Sequence, residues 1–215
     1  MSNAKIKICR VKSLEIAAVC AECGVDFLGM HQIHAPLEFN MLELCKKIRS
    51  TFPALSLVLL TQEECMENLL EMSLSFEWDC IQLHQKKKFS PQEIVELRQR
   101  LMTHGRSPKL IGVLAGEDLN ETSIKAYAAV ADYILFDFSR IGGQGKEIPP
   151  EGLRQIAAFA VDVPFFLAGG LRAENVADKL ELLHPFAVDV QSGVEREKQK
   201  DPELIRAFCQ AVKQA

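Results

Sequence analysis

Asp137 closes an apolar run, ADYILFD, and is soon followed by a loop rich in glycine. The stretch Gly142-Gly143-Gln144-Gly145-Lys146 suggests a nucleotide-binding P-loop, whose pattern is G-x-x-x-x-G-K-[ST]. The pattern fails at both ends, because Arg140 stands in place of the first glycine and Glu147 stands where Ser or Thr would reach magnesium. The glycines of this loop must therefore serve a purpose other than holding a nucleotide.

The cysteines are a second set of residues whose side chains could react or bind a metal. The chain has seven of them, at positions 9, 20, 23, 45, 65, 80 and 209. An odd number of scattered thiols, with no export signal, predicts reduced cysteines and a cytoplasmic location. Cys20 and Cys23 have C-x-x-C spacing, but no second pair completes a zinc site. Because Gly24 predicts a helix C-terminus there, where the dipole disfavours a thiolate, we interpret this pair as helix packing.

The elements that must position such residues follow one alternating pattern. Short apolar runs predict strands at 5–9, 25–30, 55–60, 80–84, 109–114, 132–137, 163–168 and 186–190. Most of these runs are continuously apolar, which is typical of parallel strands buried on both faces. Helix signals lie between them. They include capping-box spacing at Asn40 with Glu43 and at Thr61 with Glu64, a helix start at Ser90-Pro91 with Glu93, and a last helix opened by Asp201 and Pro202.

The number of strand–helix units decides the predicted fold. Eight units leave about 27 residues for each, which is close to the minimum for a (β/α)₈ barrel. A doubly wound open sheet is the alternative, but it normally has fewer strands at this length, and its G-x-G-x-x-G fingerprint is missing after the first strand. No linker or change of composition divides the chain. The sequence therefore predicts one TIM barrel domain that spans residues 1–215.

Composition and charge narrow the possible partners. Hydrophobic residues make up 48% and charged residues 25% of the chain, which is the profile of a soluble globular protein. No apolar run approaches the ~20 residues that a membrane-spanning helix needs. The net charge is −4 and no basic block dominates, so we expect neither nucleic acid nor a membrane as a partner.

In a barrel of this type the carboxyl ends of the strands line the active site. The residues predicted there are Cys9 and Arg10 after strand 1, His31 and His34 after strand 2, Gln82 and His84 in strand 4, Asp137 in strand 6, and Asp189 in strand 8. Glycine lets backbone N–H groups approach an anion closely, and barrels often bind phosphate in the loops after strands 7 and 8. A phosphate site is therefore expected from Gly142, Gly143, Gly145, Gly169, Gly170, Ser192 and Gly193. Tight turns alone are the alternative explanation of these glycines.

Five segments resemble the phosphoribosylanthranilate isomerase family of tryptophan biosynthesis. They are KIKIC at 5–9, IQLH at 81–84, ILFD followed by GGQGK, FFLAGGLRAENV at 165–176, and VDVQSGVE at 188–195, and together they extend over nearly the whole chain. The resemblance implies a (β/α)₈ barrel that uses neither cofactor nor metal. It also implies an Amadori rearrangement of N-(5′-phosphoribosyl)anthranilate to 1-(2-carboxyphenylamino)-1-deoxyribulose 5-phosphate.

The resemblance also implies roles for two residues. Asp137 would be the acid that protonates the ribose ring oxygen, and Cys9 would be the base that removes the C2 proton of the resulting Schiff base. Asp137 would then need a raised pKa, which a barrel mouth that sheds water on binding substrate can supply. Cys9 must act as a thiolate, which a nearby cation would favour.

Two positions depart from the family's usual pattern. The glycine that usually follows K-I-C is replaced by Arg10, which could crowd the substrate or lower the pKa of Cys9. The family's second loop usually carries S-P-R, whose arginine holds the anthranilate carboxylate, but the loop at 31–39, HQIHAPLEF, has no arginine. Arg10 is our first candidate for a replacement, Arg140 the second, and a protonated His31 or His34 the third. The two histidines have no third ligand in view, so we expect no metal.

Three functions follow from these observations. The first is a phosphoribosylanthranilate isomerase with an altered carboxylate contact. The second is an isomerase of the same barrel that acts on another phosphorylated sugar, and the third is a phosphate-ligand-binding protein without turnover. The presence of both Cys9 and Asp137 favours an enzyme over a binding protein. In each case the expected partner is a small phosphorylated sugar, and the expected state is a monomer or a homodimer.

Overall fold

The computed structural model describes residues 3–36, 38–84, 89–115, 118–137, 150–158 and 164–215. Eight parallel strands close into a barrel in chain order, and the last strand pairs with the first. These strands are β1 Lys5–Cys9, β2 Phe27–His31, β3 Ser56–Thr61, β4 Cys80–Leu83, β5 Lys109–Ala115, β6 Tyr133–Asp137, β7 Phe165–Leu167 and β8 Ala187–Val190. The predicted (β/α)₈ barrel is confirmed.

In the described part of the chain, eight α-helices accompany the strands. They are α1 Leu14–Glu22, α2 Phe39–Thr51, α3 Met66–Leu74, α4 Pro91–Thr103, α5 Glu121–Ala128, α6 Pro150–Ala158, α7 Val176–Leu183 and α8 Pro202–Gln214. A one-turn 3₁₀ helix, Ser192–Val194, and a short hairpin of β9 Glu195–Arg196 and β10 Gln199–Lys200 lie between β8 and α8. Among the described residues, no helix has both the length and the apolar character to cross a membrane.

Two apolar layers hold the barrel together. Successive side chains of a strand point to opposite sides, so Ile6 and Ile8 of β1 pack outward in the larger core with the helices. A smaller cluster fills the barrel interior. Aromatic rings at its amino-terminal end, from Phe27, Tyr133, Phe166 and Phe186, contact one another with centroids 5.2–6.4 Å apart. The polar interior residues are thus concentrated at the opposite, carboxyl end.

Both predicted capping boxes are wrong. Asn40 lies inside α2 rather than before it, and Thr61 lies at the end of β3, well before α3. The Thr61 hydroxyl instead donates to the Ile33 carbonyl at 3.0 Å. The predicted helix start at Ser90 is confirmed, and Ser90 and Glu93 form a capping box there.

The C-x-x-C pair lies where the sequence predicts. Cys20 is buried in α1, and Cys23 is the C-cap residue of that helix, followed by Gly24 with φ +67°. All seven cysteines are free thiols. Burial raises the pKa of Cys20 to about 12, which leaves this thiol protonated and unreactive near neutral pH.

Candidate active site

Two opposite charges meet inside the barrel on neighbouring strands. Lys7 of β1 and Asp189 of β8 are register partners, and the Lys7 ammonium donates to Asp189 Oδ2 at 2.7 Å. Lys7 is completely buried. Burial alone lowers the pKa of Lys7, but the attraction of Asp189 and Cys9 outweighs it, so this pKa is raised and Lys7 is charged. Lys7 was not among the predicted site residues, although the alternation of KIKIC places it on the same face as Cys9.

Cys9 is the last residue of β1 and is buried beside Lys7. Its register partner on β2 is Gly29, where an added Cβ would lie 2.9 Å from Cys9 Sγ and 3.3 Å from Lys7 Nζ. Any larger residue at position 29 would therefore push the thiol or the ammonium aside. Burial raises the pKa of Cys9, while the neighbouring Lys7 ammonium opposes that rise.

Asp137 ends β6 and is buried, with Ala115 of β5 as its register partner. It follows Leu135 at the spacing that puts both side chains on the inside of the barrel, where Leu135 belongs to the interior cluster. In the closed ring, β7 and β8 separate Asp137 from Cys9 on one side and four strands separate them on the other. The acid and the thiol therefore occupy distant parts of one barrel mouth.

Gln82 and His84 of the β4 segment are both buried at the same mouth. The Gln82 amide nitrogen lies 3.3 Å from His84 Nδ1 and can donate to it when the His84 proton is on Nε2. Burial, with a smaller effect of Lys7, lowers the pKa of His84 to about 4, so the ring is neutral near pH 7. Among the described residues, Gln82 Oε1 and Asp189 Oδ1 are buried acceptors with no hydrogen-bond partner. Such acceptors are costly unless a ligand donates to them.

The two histidines after β2 have different surroundings. His31 is partly buried, and its pKa is lowered to about 4 by burial and then by His84 and Arg10. With this pKa the His31 ring is neutral near pH 7, which favours Arg10 over His31 as the contact for a carboxylate. His34 is exposed, with Nδ1 3.8 Å from Glu63 Oε2. In the described part of the chain, no cluster of three or more His, Cys, Asp or Glu residues could hold a metal ion.

Arg10 has an unusual backbone. Its φ is +62°, in the left-handed region that costs an L-residue about 1–2 kcal/mol. The side chain is partly exposed, and its guanidinium makes no hydrogen bond or ion pair with any residue that the structure describes. Its charge nevertheless acts on His31, across the same mouth. Arg10 is thus a cation near Cys9 whose donors are available to a ligand.

The loops after β7 and β8 lie against each other. Gly169 and Gly170 have φ of +95° and +62°, and the Asn175 amide donates to the Gly170 carbonyl at 3.1 Å. A Cβ on Gly193 would lie only 1.9 Å from the Leu171 carbonyl oxygen. The structure therefore brings Gly169, Gly170, Ser192 and Gly193 of the predicted phosphate site together. Gly142, Gly143, Gly145 and Arg140 lie outside the described residues.

A buried lysine supports the second of these loops. Lys200 donates to the Gln191 carbonyl at 2.8 Å and to Glu195 Oε1 at 2.9 Å. Gln191 and Glu195 are the residues on either side of the 3₁₀ helix, so the ammonium links its two ends. This contact fixes the backbone around Gly193, and no motif in the sequence predicts it.

Known proteins resemble this chain over its full length. The family model described as N-(5′-phosphoribosyl)anthranilate (PRA) isomerase matches residues 6–211. The N-(5′-phosphoribosyl)anthranilate isomerase of Moorella thermoacetica is 32% identical over 215 aligned residues, which cover 98% of this chain and 90% of that protein.

Solved structures resemble the fold as well. The phosphoribosylanthranilate isomerase of Thermus thermophilus superposes with a TM-score of 0.77 at 24% identity and covers 98% of both chains. A phosphoribosylanthranilate isomerase in complex with reduced 1-(o-carboxyphenylamino)-1-deoxyribulose 5-phosphate has a TM-score of 0.70 at 24% identity, covering 99% of this chain and 100% of that one.

Proposed function

This chain belongs to the N-(5′-phosphoribosyl)anthranilate isomerase family, and we propose on that premise that Cys9 and Asp137 carry out the family's reaction in the mouth of its barrel. The protein is an isomerase of tryptophan biosynthesis that converts N-(5′-phosphoribosyl)anthranilate to 1-(2-carboxyphenylamino)-1-deoxyribulose 5-phosphate. The observation that supports our assignment of roles is a buried thiol and a buried carboxyl on separate strand ends of one barrel mouth.

The reaction needs an acid and then a base. Asp137 donates a proton to the ribose ring oxygen, the C1′–oxygen bond breaks, and the substrate nitrogen forms a Schiff base with C1′. The Cys9 thiolate then removes the C2′ proton, and the electron pair of that C–H bond moves toward the Schiff base to give an enaminol. The enaminol tautomerises to the ketone, so no atom is gained or lost. Two groups on well-separated strands suit this order, because they act on different atoms of the sugar.

The substrate's phosphate is proposed to bind at the loops after β7 and β8. The left-handed Gly169 and Gly170 turn the backbone there, and Gly193 packs against the neighbouring carbonyl without a side chain between them. Backbone N–H groups of closely packed glycine loops can surround an anion. Lys200 holds the Ser192–Gly193 turn through its bonds to the Gln191 carbonyl and the Glu195 carboxylate.

The buried acceptors are proposed to bind sugar hydroxyls. Asp189 Oδ1 and Gln82 Oε1 each lack a donor among the described residues. A ribose or ribulose chain carries hydroxyl groups that can donate to both. The neutral His84 ring supplies one N–H donor in the same region.

Arg10 is proposed to bind the anthranilate carboxylate. Removing it with Arg10→Gly is expected to raise KM by about 30-fold, because a charge-assisted bond contributes about 1.5–3 kcal/mol. The same change should leave thermal stability unaltered or higher, since glycine accepts a φ of +62° without strain. Initial-rate kinetics and thermal melts measure the two effects, and Arg10→Lys should restore KM only in part because an ammonium lacks the guanidinium fork.

Lys12→Ala is the matched control, because Lys12 is an exposed cation two positions along the same segment. A lower KM for Arg10→Gly would mean that Arg10 obstructs the anthranilate ring. That result would favour another phosphorylated sugar as the substrate. The lack of an arginine at 31–39 is the reason to test this alternative.

The activity itself is expected in a direct assay. Purified protein mixed with N-(5′-phosphoribosyl)anthranilate should remove the anthranilate-type fluorescence of the substrate at a rate proportional to enzyme concentration. A protein that binds the substrate without turnover would contradict the assignment of Cys9 and Asp137. Turnover of a different phosphorylated sugar alone would contradict the proposed carboxylate contact.

We also propose a cytoplasmic location for the protein. Five of the seven free thiols are buried, which suits a reducing compartment such as the cytoplasm. A monomer or a homodimer, with no nucleic acid or membrane partner, stays our prediction for the assembly.

A further inference from the structure

We propose that Lys7, held in place by Asp189, is the counter-charge that allows Cys9 to become a thiolate inside the buried barrel mouth. This inference rests on the proposed role of Cys9 as the base and names the residue that makes that role possible. Lys7 acts through Cys9, so it is a positioning residue rather than a catalytic one.

The geometry singles out Lys7 among the charges around the thiol. The Cys9 sulfur and the Lys7 ammonium both face Gly29, where an added Cβ would lie 2.9 Å from the sulfur and 3.3 Å from the ammonium nitrogen. The charge of Lys7 opposes the rise in the pKa of Cys9 that burial causes. The other charged or titratable groups that face this region are Arg10, His31 of β2, His84 of β4, Asp189 of β8 and Lys200 of β10. Both histidines are neutral near pH 7, and Lys200 already donates to Glu195 and to a backbone carbonyl.

Asp189 explains why the ammonium remains charged without contact with water. A buried lysine without a partner tends to lose its proton. The contact of 2.7 Å with Asp189 Oδ2 compensates for the burial of Lys7. Lys7 therefore carries its charge before substrate arrives, while the sulfur is a second neighbour that can be either a thiol or a thiolate.

This arrangement suits both stages of the base's cycle. With a neutral thiol, Lys7 and Asp189 form a simple ion pair. With a thiolate, the ammonium lies between two anions and stabilises the one that reacts. When Cys9 takes the C2′ proton, the thiolate charge disappears and the ion pair remains, so no buried charge is left without a partner.

The test measures the thiolate directly and uses no substrate. The full-length protein is treated with the small thiol reagent methyl methanethiosulfonate from pH 6 to 9, and labelling of the Cys9 peptide is followed by mass spectrometry. The Lys7→Met/Asp189→Asn double variant removes the cation without leaving an unpaired buried carboxylate. Its Cys9 labelling rate at a fixed pH is expected to fall at least about tenfold, which corresponds to one pKa unit.

Controls separate this effect from a loss of structure. Cys65 is exposed at the start of α3 and is not among the groups that act on Cys9, so its labelling in the same digest should be unchanged. Lys7→Arg, which keeps the charge, should restore much of the Cys9 labelling rate. A Cys9 rate in the double variant within twofold of that in the unaltered protein would overturn the proposal, and so would no labelling of Cys9 in the unaltered protein.

The pH dependence of kcat/KM separates the role of Lys7 from the role of Cys9 as the base. If Cys9 labelling falls as expected, the ascending limb of kcat/KM against pH should move to higher pH in the same double variant. A labelling change without a shift of that limb would leave Lys7 as the counter-charge but would remove Cys9 from the role of base.

Discussion

Cys9→Ala and Asp137→Asn are each expected to lower kcat by about a thousandfold, within the range of about 10²–10⁴ that positioned acids and bases contribute. Both substitutions are conservative in volume, so the barrel should stay folded. The Cys9 variant should fail at removal of the C2′ proton, and the Asp137 variant should fail earlier, at ring opening. Fluorescence assays under saturating substrate measure kcat, and circular dichroism with thermal melts establishes that the fold is kept.

Cys80→Ala provides the matched control for the thiol. Cys80 is also a buried cysteine on a barrel strand, but it belongs to the apolar interior cluster. Its loss should lower stability by about 1–2 kcal/mol through the cavity it leaves, without changing kcat. A Cys9→Ala or Asp137→Asn enzyme with a tenth or more of normal turnover would exclude that residue from the mechanism.

The fold and the family could be predicted because their signals are local or repeated. Each strand is a short apolar run, and the predicted run at 5–9 coincides with β1. The family model matching residues 6–211 confirms the resemblance based on five segments. The capping boxes predicted at Asn40 and Thr61 are wrong because the spacing of two residues does not show where the loop between a strand and the next helix ends. Asn40 lies inside α2, and Thr61 is still part of β3.

The electrostatics of the site could not be predicted in the same way. Lys7 was not predicted because a lysine is rarely buried without a partner, and its partner Asp189 is brought to it only by strand register across the barrel. The charge of His31 depends on its burial and on the nearby His84, and neither the burial nor this contact can be deduced from the order of residues. Lys200 reaches Glu195 only because a hairpin with left-handed residues at 197 and 198 folds the chain back.

Gly193→Ala is expected to raise KM for the phosphorylated substrate by about 100-fold, since a displacement of about 1 Å in a binding loop can cost that much. The added Cβ would lie 1.9 Å from the Leu171 carbonyl oxygen, far closer than two such atoms can approach. One of the loops after β7 and β8 must therefore move, and the proposed phosphate contacts move with it. Inhibition by inorganic phosphate should weaken in parallel with KM, because both report on the same anion site.

Gly105→Ala is the control for this substitution. Gly105 has φ +68°, and an added Cβ would meet nothing within 4 Å, so alanine there strains the backbone without moving the mouth. That variant should lose stability but keep its KM and its inhibition by phosphate. If Gly193→Ala also keeps both values, or if phosphate soaked into crystals binds away from Gly170 and Gly193, the anion site lies elsewhere. The left-handed glycines after β7 would then be tight turns, as the alternative interpretation of the sequence allowed.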